Sequence, residues 1–281
     1  MAKEKKERGP QYLVSPLNNN MINYAEYYMS AQEKLFFSIA IIAVGGLVGL
    51  VFYGGLFKYE GEATTATYIS DAVVFVLIGL IARKFFMPAI ANMLKNKRNK
   101  KLEKQFIDFL EGLASSLSAG NTVNDAFINA RKDLLNQYNE NDLIIIELSE
   151  IISGMNNGKT LEEMLISFAK RSGNDDIENF GNVISNCYRL GGNFKDVVRK
   201  TRDIISDKIA IADEINTKLS SNKLQHNAMC LMPILIVAML KLLNSTFASN
   251  LASPIGIVIT TISIGIFVGS YFWGQKIIDI G

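Results

Sequence analysis

The stretch LFFSIAIIAVGGLVGLVFYGGLF, residues 35–57, runs for 23 positions without a charged side chain. As a helix rising about 1.5 Å per residue it is roughly 34 Å long, enough to cross a hydrocarbon core of about 30 Å. Three further stretches read the same way: Tyr68–Met87, Ala228–Leu243 with an extension through Phe247, and Pro254–Trp273. The third is the shortest and carries Lys241, whose long stem would let its ammonium snorkel to the outer interface. Composition agrees with a membrane protein. Of 281 residues 49% are hydrophobic and 20% charged, and the mean hydropathy is +0.18, too apolar for an ordinary soluble domain.

Lys and Arg set the expected orientation. Five precede the first span, 21 lie between Arg83 and Lys223, one (Lys58) sits in the first short loop and none in 244–253. Both short loops are therefore predicted outside, with both termini and the middle region cytoplasmic. The run Lys95, Lys97, Arg98, Lys100, Lys101, Lys104 anchors the second span on that side, against inner-leaflet lipids. The first apolar stretch is too long, and begins too late, for a cleavable signal. The chain thus divides into a polar cytoplasmic leader at 1–34, two spans within 35–87, a helical region at 88–225, and two spans with a short tail at 226–281. The leader's polar part, Met1–Asn20, is expected to be mobile, while Tyr24, Tyr27, Tyr28, Phe36 and Phe37 are placed in a headgroup belt. Gly45 with Gly49 and Gly265 with Gly269 form Gly-x-x-x-Gly faces, candidates for close helix packing in the bilayer.

Between Lys100 and Lys223 there is no proline and no sustained alternation of apolar and polar residues, whereas helical spacing recurs. Leu102, Phe106, Phe109, Leu110, Leu113 and Leu117 fall on one helical face that should stop at Gly120, and Thr122 caps the next helix. The same punctuation returns at Gly158 before Thr160-x-x-Glu163, a capping box, and at Gly191-Gly192 before Phe194. Helices are predicted at 101–119, 123–138, 141–155, 161–172, 175–190 and 194–223, three helical hairpins in all. The fold class is all-α: four transmembrane helices plus a six-helix cytoplasmic bundle. The last helix heads toward the third span, and its basic strip, Lys195, Arg199, Arg202 and Lys208, lies opposite an apolar stripe that includes Ile204, Ile211 and Ile215.

Chemistry is sparse. One histidine, His226, and two separated cysteines, Cys187 and Cys230, exclude a disulfide framework and argue against a zinc site or Cys-His catalysis. Gly158-Lys159-Thr160 imitates the end of a phosphate-binding loop, but position 153 is Ser and a helical run precedes it, so it reads as a hairpin turn. Asp175, Asp176 and Glu178 fit a helix N-terminus better than a cation site, and Glu147 and Glu150 are assigned to a solvated face. No catalytic, cofactor or metal residue is expected, and a net charge of +2 gives no reason to expect nucleic acid.

The segment from Phe106 through Gly120, continued as NTVNDAF, resembles the opening hairpin of the type II secretion F domain. Gly158-Lys-Thr-Leu-Glu-Glu-Met-Leu with Phe168–Gly173 is similar to its middle, and Leu190-Gly-Gly-Asn-Phe-Lys-Asp-Val-Val to its closing turn and helix, over about residues 100–223. Two spans before one such domain and two after resemble the TadB/TadC-type platform proteins of Tad (Flp-type) pili. That resemblance implies a non-enzymatic inner-membrane platform on which a cytoplasmic secretion ATPase acts to move pilin subunits into a filament, paired with a paralogous platform protein or a second copy of itself. On this reading Gly120, Gly158, Gly191 and Gly192 are structural turns, and Lys195, Arg199 and Arg202 a candidate ATPase-facing surface. The alternative is a small membrane transporter or channel, for which only Asp71, Arg83, Lys84 and Lys241 stand near the membrane.

Overall fold

A computed structural model describes residues 10–56, 64–190 and 193–278. Its elements are β1 (Tyr12–Val14), β2 (Asn20–Ile22), α1 (Ala31–Tyr53), α2 (Thr65–Ser118), α3 (Val123–Leu134), α4 (Leu143–Asn156), α5 (Leu161–Ser172), α6 (Asp175–Leu190), α7 (Phe194–Leu243), α8 (Ser245–Leu251) and α9 (Pro254–Ile278). Among the described residues the fold is all-α apart from one small hairpin. Four helices among them are long and apolar enough to cross a membrane: α1, α2, α7 and α9. The chain divides into a helical unit, Met1–Tyr28 with Ala91–Ile211, and an apolar unit, Met29–Ile90 with Ala212–Gly281.

Two helices are longer than their sequence patterns suggested. The second span and the first bundle helix are one 54-residue helix, and the last bundle helix and the third span are one of 50 residues. Pro88 and Pro233 stand inside these helices rather than ending them. Each removes a single backbone donor, while the residues flanking it form helix readily.

In the helical unit, Leu102, Phe106, Phe109, Leu110 and Leu113 of α2 are buried and Leu117 packs at the edge. Phe106 is central: its ring lies 6.0 Å from Phe109, 6.2 Å from Phe168 and 5.3 Å edge-on from Phe180, while Phe109 meets Phe127 at 5.3 Å. These tilted and edge-on contacts are the favoured arrangement for ring quadrupoles. The helices α3 to α6 are held around α2 by α3–α4, α4–α5 and α5–α6 packing. Thr122 and Thr160 accept bonds from the amides of Asp125 and Glu163, closing the N-termini of α3 and α5.

In the apolar unit, α1 and α2 pack through glycines. A Cβ on Gly45 would stand 2.7 Å from that of Ala82, and one on Gly79 would stand 2.8 Å from Ile42. Gly49 meets Ile78 in the same way. Without a hydrophobic driving force in lipid, such close backbone approach supplies the contact energy. Gly265 and Gly269 have no neighbour within 4 Å of an added Cβ. Gly45→Leu is therefore expected to lower the thermal midpoint of the detergent-solubilised chain, an overpacking loss of about 1–3 kcal/mol. Gly265→Leu should leave that midpoint unchanged, and equal effects would refute the assignment. The first helix begins at a full capping box, Ser30 with Glu33, which the Ser-x-x-Glu pattern ahead of an apolar run signals.

Candidate functional site

The most heavily bonded polar centre lies where the leader meets the helical unit. Strands β1 and β2 pair antiparallel, Leu13 opposite Met21, and Ser15 closes the turn by accepting from the amides of Leu17 and Asn19. Ser15 Oγ donates to Glu150 Oε1 at 2.5 Å, and Asn19 Nδ2 donates to both oxygens of that carboxylate. The chain then descends into the domain. Tyr24 is fully buried; its hydroxyl donates to Glu147 Oε1 at 3.0 Å and its amide to the carbonyl of Arg171 at 2.8 Å.

Arg171 grips Glu147 with both arms, Nη1 to Oε1 at 2.7 Å and Nη2 to Oε2 at 2.6 Å, and also donates to the Ile22 carbonyl. The planar fork matches the two carboxylate oxygens. Arg98 of α2 closes the other side. Its Nη2 donates to the carbonyls of Tyr24 and Glu26 at 3.0 and 2.8 Å, and its guanidinium lies over the rings of Tyr24 and Tyr27 at 5.4 and 5.1 Å. Burial, then the neighbouring carboxylate, pushes the Tyr24 phenol well above its ordinary range. Burial likewise raises the Glu147 carboxyl against the opposing pull of Arg171 and Tyr24, and lowers Arg98. Gly173, at φ +59°, gives the leader its seat: a Cβ there would stand 2.8 Å from the Ala25 backbone.

This centre corrects three sequence expectations. Residues 10–20 of the tail expected to be mobile form, with 21–28, a strap laid on the helical unit, because Ser15, Asn19 and Tyr24 are bonded to it; residues 1–9 lie outside the described residues. Tyr24 and Tyr27 belong to that strap, not to a headgroup belt. Glu147 and Glu150 are anchors, not solvated side chains. The signal was present in helical register: Glu147 shares the buried face of Ile144, Leu148 and Ile151, where an acid needs a partner.

The basic strip of α7 is interlaced with acids. Arg199 lies 3.6 Å from Asp196, and Arg202 donates twice to Asp203. Lys208 pairs at 2.6 Å with Asp176, which raises its pKa. Arg199 stays more than half exposed and Lys195 is partly so. On the opposite side Val198 and Ile205 are buried, whereas Ile204, Ile211 and Ile215 are exposed, so the expected apolar stripe is only partly covered.

Gly120 at φ +86° and Gly158 at φ +77° occupy the left-handed region that a side chain resists. Gly191 and Gly192 lie outside the described residues. Gly158-Lys159-Thr160 is the turn between α4 and α5. Asn174 Oδ1 caps α6 by accepting from the amides of Asp176 and Ile177. In the apolar unit Lys241 donates to the carbonyls of Leu50, Val51 and Gly54 at 3.1, 3.1 and 2.6 Å, capping α1. Asp71 accepts from the Gly55 amide at 2.7 Å. His226 stacks on Tyr271, with Cys230 Sγ 3.8 Å from its Nε2.

The bundle of hairpins closed by a helix that runs on into an apolar segment has a counterpart among known families. Residues 109–242 match the family described as Type II secretion system (T2SS), protein F. The chain carries a type II secretion F domain. The match ends one residue short of the end of α7, so the F domain takes in the third apolar stretch as well as the helical hairpins. No curated protein and no solved structure matches the chain. The leader strap lies wholly outside the matched residues, as does Arg98, whereas its anchors Glu147, Glu150 and Arg171 lie within them.

Proposed function

We propose that this protein is a non-enzymatic inner-membrane platform of a Tad-like type IV pilus or related secretion machine, coupling a cytoplasmic ATPase to pilin assembly. One observation carries the reading: a single F domain with two apolar helices before it and two apolar segments at and after its end. The distribution of Lys and Arg supports placing the F domain and both termini on the cytoplasmic side. Lys195, Arg199 and Arg202 stand on the same unbroken helix as the third apolar stretch, so an ATPase bound there would act on an element that itself enters the bilayer. The ATPase would bias the domain between two arrangements by binding one of them better. A single F domain suggests that a paralogous platform chain or a second copy supplies the other half. The ionisable groups Asp71 and Lys241 are engaged by helix ends, which weighs against a conducting path.

The test is affinity purification of the tagged full-length protein from its native membrane in mild detergent, with mass spectrometry of what co-purifies. Recovery of a secretion ATPase, a four-span paralogue or a pilin is the expected result; reproducible recovery of the protein without any of these would overturn the platform reading. Joint reversal of Arg199 and Arg202 to Glu is expected to lower ATPase recovery on the order of tenfold, since like charges then face each other. Membrane insertion should be unaffected, and unchanged ATPase recovery would remove this surface.

A further inference from the structure

Between α3 and α4 of the helical unit lies an open groove of about 440 Å³. Its floor is apolar, Ile128 and Ile152, and its rim is polar, with Arg131, Ser149, Ser153 and Asn156. Arg131 is the ionisable group that lines it. Arg131 Nε donates to Ser149 Oγ at 2.7 Å, and that hydroxyl donates to the Ile145 carbonyl at 2.6 Å, so the guanidinium is held from behind. Among the described residues its two terminal amino groups take no hydrogen bond or ion pair. A fixed fork with both arms open is the arrangement that recognises a carboxylate through two parallel bonds.

We propose that this groove is the docking site for an amphipathic helix of a partner protein, which sets an apolar side chain on Ile128 and Ile152 and an Asp or Glu on Arg131. The shape favours a helix: the lining residues of α4 run from Ser149 to Asn156, roughly 10 Å along the axis. Side chains one turn apart on a guest helix, about 5–6 Å between Cβ atoms, span the distance from such a floor to its rim. The charge favours a single carboxylate over a polyanion. On α3, Asp125 and Asp133 balance Arg131 and Lys132, and α4 carries Glu147 and Glu150 without a basic residue. A nucleic acid or a lipid headgroup array meets no positive field here, whereas one acid meets one prepared arginine. The surface is separate from Lys195, Arg199 and Arg202, and the proposal holds whichever machine the protein serves.

The test places a photo-crosslinking amino acid at the exposed rim position Asn156 of the full-length protein in its native membrane. The expected adduct is a partner segment of helical pattern with an Asp or Glu next to an apolar residue. Arg131→Glu should reduce its yield on the order of tenfold, and reversing the partner's acid to Arg in that background should restore it. Arg131→Gln, which keeps the side-chain bulk and removes only the charge, should also reduce the yield, and thermal melting of each variant checks that the fold is intact. The proposal is overturned if no adduct forms, if the yield is indifferent to Arg131→Glu and Arg131→Gln, if charge exchange fails to restore it, or if the adduct joins a second copy, lipid or nucleic acid.

Discussion

Replacing Arg171 with Ala is expected to destabilise the helical unit by about 3–5 kcal/mol, because Glu147 would be left buried and charged with only the Tyr24 hydroxyl for company. The pair is almost wholly withdrawn from water, with the Arg171 side chain 4% exposed and that of Glu147 0%. The loss comes from the orphaned charge more than from the attraction removed, so joint replacement of Arg171 and Glu147 by Met should recover most of it. Tyr24→Phe removes one hydrogen bond to a charged acceptor and should cost about 1.5–3 kcal/mol. Its signature would be local: faster amide exchange in residues 10–28 with little change in α3 to α6. Denaturant melts of the full chain in detergent read the first effect and exchange mass spectrometry the second. An Arg171→Ala loss below 1 kcal/mol would show that water reaches the pair and that it does not anchor the strap.

The second large effect is expected at Lys241. Its ammonium meets three carbonyls at the C-terminal end of α1, where the helix dipole is negative and the last carbonyls have no partner within the helix. Lys241→Met keeps the bulk and forfeits the cap, a loss of about 1.5–3 kcal/mol for bonds to a charged donor. Lys241→Glu should be far worse, because a carboxylate facing those same carbonyls is repelled in a medium of low dielectric constant. The measurement is the amount of full-length protein retained in the membrane fraction together with its thermal midpoint after solubilisation. The expected order is wild type, Lys241→Met, then Lys241→Glu with little folded protein; equal midpoints for all three would mean that Lys241 does not hold α1.

Much of the architecture was open to reading before any tertiary structure. Phe106, Phe109, Leu110 and Leu113 recur at helical spacing because one face of α2 is buried, and burial is what periodicity records. Gly120 and Gly158 mark turns because a positive φ strongly favours glycine. The joins were harder. Pro88 and Pro233 are strong stop signals locally, yet a long helix with good formers on both sides passes through them. The leader's polarity looks like solvation along the chain, yet Ser15, Asn19 and Tyr24 find partners more than a hundred residues away.

What the sequence by itself determined is therefore what depends on neighbours along the chain: four apolar helices from length and hydropathy, a helical domain from its period, turns from glycine, and the family from motifs in fixed order. What only the tertiary structure decided depends on pairing across it. Tyr24 finds Glu147, Lys241 finds the end of α1, and Arg131 is left with an open fork. An acid or a base in a sequence records a charge but not its partner, and burial with or without that partner is the difference between an anchor, a cap and a binding site.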